Sequence, residues 1–481
     1  MTKKILIAVM LMCSAVFLSD AKVDLPSVFG NNMVLQRNTS VAFWGTAKAN
    51  AKVSIKPSWT KGKTIVESDA AGKWFAKVAT PEAGGPYTVT ISDGEKLVLD
   101  NVLIGEVWFC SGQSNMEMFV KGFKGQPVEG GIDALIDAKP EVPIRMCNVR
   151  KCVSATPKDD CDAMWLEHTQ DAVANTSATA YFFARDLYRA LNIPIGIIVS
   201  AWGGTLIEPW MSRDVFEKDF KSYDLSFLDG KELPKLSQYK PCTLYNGMVH
   251  PLIPYTIKGW IWYQGESNRD MYKDYAALHT AYAAMMREKW GNPKMPFYFV
   301  QIAPYAFKGK PEGETAAMLM EAQAKSLETI PYSGMATTAD IGEQWCIHPA
   351  KKQEVGRRLA LMALKKDYGM ALEGAFAPQY DRMEIREGGK IILYFKNNDC
   401  GLGPVNENHN CFMVAGEDRV FYPATGRVMR GYDTIEVTCP PEVPNPVAVR
   451  YAFGNYVPGI LKNGRGVAVA PFRTDDWPEN K

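Results

Sequence analysis

Five short apolar runs between residues 101 and 368 constrain the fold of this chain more than any other feature. Helical patterns lie between or after these runs, and strands that alternate with helices form a parallel, doubly wound sheet. We therefore predict an α/β domain with about five parallel strands. Pro349 is predicted to stand in the first turn of the last helix. The predicted strands are 102–110, 195–201, 258–263, 297–302 and 334–338, and the predicted helices are 178–191, 272–290, 315–328 and 349–366.

Short β patterns flank this α/β region, 101–368, on both sides. In residues 22–100 they are separated by turn signals such as Gly84-Gly85-Pro86, which is typical of a small antiparallel β-sandwich. Residues 369–481 return to a β pattern and are predicted to form a second all-β module. The long segment 117–175 is predicted to be irregular, as loops over a functional site often are.

The first 21 residues have the pattern of a secretory signal. Lys3 and Lys4 precede the apolar run 5–18, and Ser19-Asp20-Ala21 provides small residues for cleavage after Ala21. The run is shorter than the roughly 18 to 20 apolar residues that a spanning helix needs. We predict an exported protein, periplasmic or extracellular, without a membrane span.

Charge and cysteine content exclude several classes of protein. A formal net charge of +1 argues against a partner that is a nucleic acid or a charged membrane surface. Ten cysteines, one of them in the predicted signal, leave nine without C-x-x-C spacing, which is neither a disulfide scaffold nor a zinc site. Cys400 and Cys411 are the pair best suited to a bridge, and buried free thiols are the alternative.

Ser114 is the predicted nucleophile. It follows the first predicted strand in Gly112-Gln-Ser-Asn-Met116, at the sheet edge where open α/β folds bind ligands. Gly112 permits a tight turn, and backbone N–H groups after it can face an oxyanion. Met116 replaces the second glycine of G-x-S-x-G, so the nucleophile elbow of α/β-hydrolases does not fit. The alternative is a Ser/Asn helix cap.

Polar clusters also end the next two predicted strands. Gly203 and Gly204 follow the second strand, where their N–H groups can approach a reacting carbonyl, unless the segment is only a turn into a helix. Gln264 follows the third strand and is the natural side-chain donor to an oxyanion, because an ionised Glu266 can only accept. Glu266 is predicted to orient a neighbouring donor, and a surface or helix-capping carboxylate is its alternative.

His348 is the predicted base among five histidines. It follows the fifth strand at the same sheet edge as Ser114, and a serine needs a base within hydrogen-bond reach. His250 follows Asn246-Gly-Met-Val249 and is predicted to lie behind the site at most. His279 is predicted to pack inside a helix or to face solvent, and His168 and His409 are predicted to lie in loops.

Several ordered motifs together resemble the sialate O-acetylesterase family, which comprises carbohydrate acetylesterases of the SGNH (GDSL-like) hydrolase superfamily. The resemblance covers nearly the whole chain after the predicted signal. The motifs are Gly112-Gln-Ser-Asn-Met116, Ala201-Trp-Gly-Gly-Thr205 with Glu208-Pro-Trp210, Tyr245-Asn-Gly-Met248, Trp262-Tyr-Gln-Gly-Glu-Ser-Asn268, Ile347-His-Pro349 with Lys352 and Gly356-Arg-Arg358, and the terminal Asn32-Met-Val-Leu-Gln-Arg37 and Pro471-Phe-Arg-Thr-Asp475.

This resemblance implies removal of O-acetyl groups from an acetylated sugar or glycan without a metal or cofactor. Ser114 would attack the acetyl carbonyl and His348 would act as base and then as acid. The implied oxyanion donors are the Ser114 N–H, a glycine N–H at Gly203 or Gly204, and the Gln264 amide. Asn115, Asn246, Glu266 and Arg269 are the implied supporting or substrate-binding residues.

One departure concerns the acid that orients the histidine. Similar sequences carry an acid just before Ile-His-Pro, whereas Gln344-Trp-Cys346 precede Ile347 here. Glu343 is the first candidate and Asp340 the second. A backbone carbonyl that orients His348 and leaves a Ser-His dyad is the third possibility.

The family name makes O-acetyl sialic acid the expected substrate, with acetylated hemicellulose such as xylan as the alternative. A sialate carboxylate calls for a cation, for which Arg269 and Lys351 are candidates, although both could be solvated surface charges. A carbohydrate-binding protein that has lost catalysis is the hypothesis from another class. The missing acid favours it slightly, and the presence of Ser114, Gln264 and His348 argues against it.

Overall fold

The computed structural model describes residues 22–230 and 232–478, so the predicted signal, 1–21, lies outside the described residues. The strands are β1 (Val34–Gln36), β2 (Ser40–Thr46), β3 (Lys52–Pro57), β4 (Thr64–Glu67), β5 (Lys73–Ala79), β6 (Gly84–Ser92), β7 (Lys96–Gly112), β8 (Ile144–Val149), β9 (Ala163–Leu166), β10 (Ile195–Ala201), β11 (Gly259–Tyr263), β12 (Phe297–Val300), β13 (Ser333–Ala336), β14 (Gln379–Arg386), β15 (Lys390–Lys396), β16 (Leu402–Gly403), β17 (His409–Ala415), β18 (Phe421–Val428), β19 (Thr434–Thr438), β20 (Ala448–Tyr451), β21 (Lys462–Asn463) and β22 (Phe472–Arg473). The α-helices are α1 (Ser114–Glu117), α2 (Gly131–Ile136), α3 (Gln170–Ala174), α4 (Ala178–Leu191), α5 (Arg213–Asp219), α6 (Tyr272–Lys289), α7 (Thr315–Thr329) and α8 (Lys352–Lys366).

The central sheet has the order β13-β12-β11-β7-β10-β8-β9. All neighbouring strands are parallel except β9, which pairs antiparallel with β8 at the edge. The predicted α/β class is therefore confirmed, and the five predicted strands are β7, β10, β11, β12 and β13. The prediction of irregular structure across 117–175 is wrong in part, because β8, β9, α2 and α3 lie there.

The helices α4, α6 and α7 cover the sheet close to their predicted bounds. Helix α8 begins at Lys352 rather than at Pro349, so the prediction of proline in its first turn is wrong. Side chains hold the preceding segment in a non-helical course, since Asn115 binds the carbonyl of Ile347 and Glu343 binds the N–H of Ala350. These bonds delay the helix by three residues.

The N-terminal β region is joined to the central sheet through one strand. The first part of β7 pairs antiparallel with β6, and its last residues pair with β10 and β11. The predicted boundary at residue 100 therefore falls inside β7. Strands β2 and β5 form a separate antiparallel pair in this region. Gly84-Gly85-Pro86 belongs to β6 rather than to a turn, because Gly84 pairs with Ile104.

The C-terminal region forms a seven-stranded sheet with the order β14-β15-β19-β18-β17-β20-β22 and a core of its own. All nine cysteines of the described residues are free thiols, so the candidate pair Cys400 and Cys411 forms no bridge and the free-thiol alternative is the one observed. Cys411 packs against the core of this module, whereas the Cys400 sulfur faces Gly374. Among the described residues, no helix combines the length and apolar character that crossing a bilayer requires.

Gly112 ends β7 between its two neighbouring strands. The Gly112 carbonyl accepts from the N–H of Trp202 at 3.1 Å, and the next N–H, of Gln113, donates to Tyr263 O at 2.9 Å. Its φ of 145° lies in the region that favours glycine, and an added Cβ would lie 2.1 Å from Tyr263 O. Only glycine lets β7 leave the sheet this close to β11.

We expect Gly112→Ala to lower the free energy of unfolding by at least about 2 kcal/mol, because it adds backbone strain and a clash with main-chain atoms. Gly388→Ala is the matched control, since its φ is 79° and no atom lies within 4 Å of an added Cβ. Thermal and urea unfolding compare the two. Equal losses in both variants would contradict the role given to the Tyr263 contact.

Candidate active site

Ser114 is the first residue of α1 and is half-buried at the carboxyl end of β7. Within the described residues, neither the hydroxyl nor the backbone N–H of Ser114 donates a hydrogen bond. The turn at Gly112 thus presents a free hydroxyl next to a free N–H. That is the arrangement that a nucleophile and the first donor to an oxyanion require.

Gly203 packs directly against Ser114. An added Cβ at Gly203 would lie 3.2 Å from Ser114 Cβ and 3.2 Å from Glu117 Oε2. Its N–H, however, donates to Glu117 Oε2 at 2.6 Å, while the other oxygen of Glu117 pairs with Lys151 at 2.6 Å. Gly203 is therefore not a free oxyanion donor in this structure, whereas the N–H of Gly204 is unoccupied among the described residues.

Gln264 is completely buried, and its amide serves the loop that follows β11. Its Nε2 donates to Thr205 O at 3.1 Å and to Asn268 Oδ1 at 2.7 Å, and its Oε1 accepts from the Tyr275 hydroxyl at 2.9 Å. Both amide hydrogens are thereby occupied. The prediction that Gln264 donates to an oxyanion is corrected to a role in holding this loop.

His348 is oriented by an amide rather than by an acid. Its Nδ1 lies 2.7 Å from Gln126 Oε1, and the edge of its ring meets the Phe123 ring at a centroid distance of 5.3 Å. Reciprocal backbone bonds close the turn from Phe123 to Gln126, so one small turn supplies both contacts. With an acceptor at Nδ1, we assign the proton to Nδ1 and the lone pair to Nε2.

The surroundings of His348 keep its ring neutral. Burial is the main cause that lowers its pKa to about 4, the charge of Lys352 lowers it further, and Glu117 opposes both. A neutral imidazole whose Nε2 has no hydrogen-bond partner among the described residues can accept a proton.

Neither predicted acid reaches the histidine. Glu343 Oε1 accepts from the N–H of Ala350 at 2.7 Å, which braces the turn that carries His348. Asp340 forms a two-bond ion pair with Arg358 at 2.8 Å and a further ion pair with Lys462 at 2.8 Å. Asp340 is thus fully engaged between α8 and the C-terminal module, and both acids are corrected to structural roles.

Asn115 connects the segments of Ser114 and His348. Its Nδ2 donates to Glu266 Oε1 at 2.5 Å and to Ile347 O at 3.1 Å, and its Oδ1 accepts from Lys352 Nζ at 2.8 Å. Ser114 precedes Asn115, and His348 follows Ile347. The donor that Glu266 orients is therefore the amide of Asn115.

The remaining predicted residues lie elsewhere or are already paired. Asn246 is buried and holds the carbonyls of Ser154 and Ala155. Arg269 donates to Glu266 O, pairs with Asp270 and stacks on Phe307, and Lys351 lines a different surface cavity. His250 binds Lys158 O, and His279 is buried with a pKa lowered to about 3, which fits packing.

Sequence reasoning missed Gln126, Glu117 and the position of Lys352. Gln126 lies 222 residues from His348, in a loop without periodicity. Glu117 lies one helical turn after Ser114, a spacing that could have drawn attention to it. Lys352 belongs to the Ile-His-Pro motif, but the neighbouring sequence gives no indication that this lysine is completely buried.

A serine at the carboxyl end of the middle strand, whose neighbour Asn115 bonds the residue before a histidine that follows the last parallel strand, is an arrangement typical of serine esterases with an α/β fold. The family described as carbohydrate esterase, sialic acid-specific acetylesterase matches residues 104–365. This chain belongs to that family and is a carbohydrate esterase.

Curated relatives and a crystal structure agree with this assignment. The chain is 30% identical to mouse sialate O-acetylesterase over 408 residues, which is 71% of this chain and 73% of the relative. It is 30% identical to the human sialate O-acetylesterase over 410 residues, or 77% and 76% of the two chains. The structure of a carbohydrate acetylesterase from Xanthomonas citri superimposes with a TM-score of 0.85 at 33% identity, covering 95% of this chain and 100% of that one.

Proposed function

We propose that this protein is a secreted serine esterase that removes O-acetyl groups from sugars, with O-acetyl sialic acid as its substrate. The observation that carries the proposal is the hydrogen bond from the Asn115 side chain to Ile347 O. Asn115 follows Ser114 and Ile347 precedes His348, so this bond ties the two segments together at the sheet edge. The names of the curated relatives support the sialate substrate. The basic and apolar pattern of residues 1–21 supports export to the periplasm or the extracellular space.

The proposed reaction has two steps through an acetyl-enzyme. The Ser114 hydroxyl attacks the acetyl carbonyl carbon while His348 Nε2 takes its proton. The N–H groups of Ser114 and Gly204 stabilise the oxyanion, and each such donor is typically worth about 10²- to 10³-fold in rate. The sugar oxygen leaves with the proton from His348. Water then attacks the acetyl ester with His348 as base, which releases acetate and restores Ser114.

The cations around the site favour acetylated hemicellulose as a second candidate substrate. Of the two predicted cations, Arg269 is paired with Asp270 and Lys351 lines a different surface cavity. Lys151 near Ser114 is paired with Glu117. Trp345, three residues before His348, is 70% exposed, and an exposed indole suits the apolar face of a neutral sugar. A carbohydrate-binding protein without catalysis has no use for the free Ser114 hydroxyl.

Acetate release from an aryl acetate, O-acetyl sialic acid and acetylated xylan tests the proposal. We expect activity in the intact protein and a loss of at least about a hundredfold in Ser114→Ala, because the nucleophile is removed. The ranking of the two glycans identifies the sugar. Glycan binding without acetate release in the intact protein would instead support the binding-protein alternative.

Gln126→Ala removes the acceptor at His348 Nδ1. We expect kcat for aryl acetate to fall about tenfold to a hundredfold with little change in KM, because the ring loses its fixed tautomer and orientation. Gln126→Glu supplies a carboxylate, which raises the pKa of His348 and moves the acid limb of kcat/KM to higher pH. Gln170→Ala, which removes an exposed amide on α3, is the control. Unchanged kcat in Gln126→Ala would show that the contact is dispensable.

A further inference from the structure

Two side chains hold the backbone on both sides of His348. Asn115 Nδ2 donates to the carbonyl before it, Ile347 O, at 3.1 Å, and Lys352 Nζ donates to the carbonyl after it, Pro349 O, at 2.7 Å. The same Lys352 ammonium also donates to Asn115 Oδ1 at 2.8 Å, so the two side chains are bonded to each other. The backbone around His348 is thereby fixed relative to the residue that follows Ser114.

We propose that Lys352 is a positioning residue for the esterase reaction, which with Asn115 sets the placement of His348 opposite Ser114. The inference rests on the proposed function and adds to it a residue that touches neither the substrate nor the reacting atoms. Lys352 acts through hydrogen bonds to the main chain and through its charge.

Burial shows that this lysine is not an ordinary surface cation. Lys352 and Asn115 are completely buried, and Glu266 is 3% exposed. Glu266 balances the ammonium through the Asn115 amide, yet its second oxygen, Oε2, has no partner among the described residues. Two buried charges carry a desolvation cost that apolar side chains of similar volume avoid. A role in placing His348 accounts for their presence.

The charge of Lys352 acts directly on His348. Burial lowers the pKa of Lys352 to about 7, while Glu266, Cys346 and Glu343 raise it. On the His348 ring, the Lys352 charge lowers the pKa and Glu117 raises it. A cation disfavours the imidazolium, so its removal raises the pKa of His348. The base then becomes protonated, and inactive, at a higher pH than in the intact protein.

The test compares pH profiles of kcat and kcat/KM for aryl acetate in the intact protein and in Lys352→Met. We expect kcat to fall on the order of tenfold to a hundredfold at unchanged KM, since His348 is displaced. We also expect the acid limb to move up by about one pH unit, since the cation is lost. Lys365→Met on the same helix, whose lysine pairs with Asp399 at the surface, is the control and should leave both profiles unchanged.

A purely structural role would lower the melting temperature and the amount of active protein without moving the pH limb. A folded, active Lys352→Met whose acid limb does not move therefore overturns the inference, whatever its kcat. If Lys352→Met does not fold, the double variant Lys352→Met/Glu266→Gln removes both buried charges, and the same upward shift is expected of it. An intact protein that hydrolyses no acetate ester would refute the proposed function, whereas an active protein with an unmoved limb refutes the positioning role alone.

Discussion

The site depends on the side-chain amide of Asn115. This amide forms hydrogen bonds with Glu266 after β11, with Ile347 in the last segment of the α/β region and with Lys352 at the start of α8. Two segments that are distant in sequence, one after β11 and one around His348, thus meet at the residue that follows Ser114. The amide can reach them because Gly112 lets β7 leave the sheet in close contact with Tyr263. The strand order places β7 between β10 and β11, which brings the other segments to the same edge.

A neutral orienting group gives this histidine a chemistry different from that of a Ser-His-Asp triad. A carboxylate at Nδ1 would stabilise the imidazolium and raise the pKa of the ring. Here Gln126 fixes the tautomer without supplying charge, while burial and Lys352 lower the pKa. In the proposed reaction, His348 is then a weaker base that stays unprotonated into acidic solution. The proposed oxyanion donors and the fixed placement of the ring supply more of the rate.

The sequence was sufficient to predict the strands and to place Ser114 and His348 after two of them, whereas their catalytic roles stay predictions. Apolar runs long enough for buried strands marked β7 and β10–β13, and polar residues at their ends marked Ser114 and His348. The hydrogen-bond partners of the polar side chains at the site could not be predicted in this way. Gln264 was expected at an oxyanion, but its amide is used by Thr205 and Asn268, and Gln126 was not considered at all. Such choices depend on contacts between distant segments, which local periodicity does not encode.

The pH dependence of covalent labelling of the intact protein by a fluorophosphonate, with the labelled peptide identified by mass spectrometry, tests Ser114 and His348 most directly. We expect a single label on Ser114. Its labelling rate should fall to half only near the lowered pKa of His348, about 4. A label on another residue, or a rate that is already halved at about 6.5, the ordinary pKa of imidazole, would contradict a base held neutral by burial and Lys352.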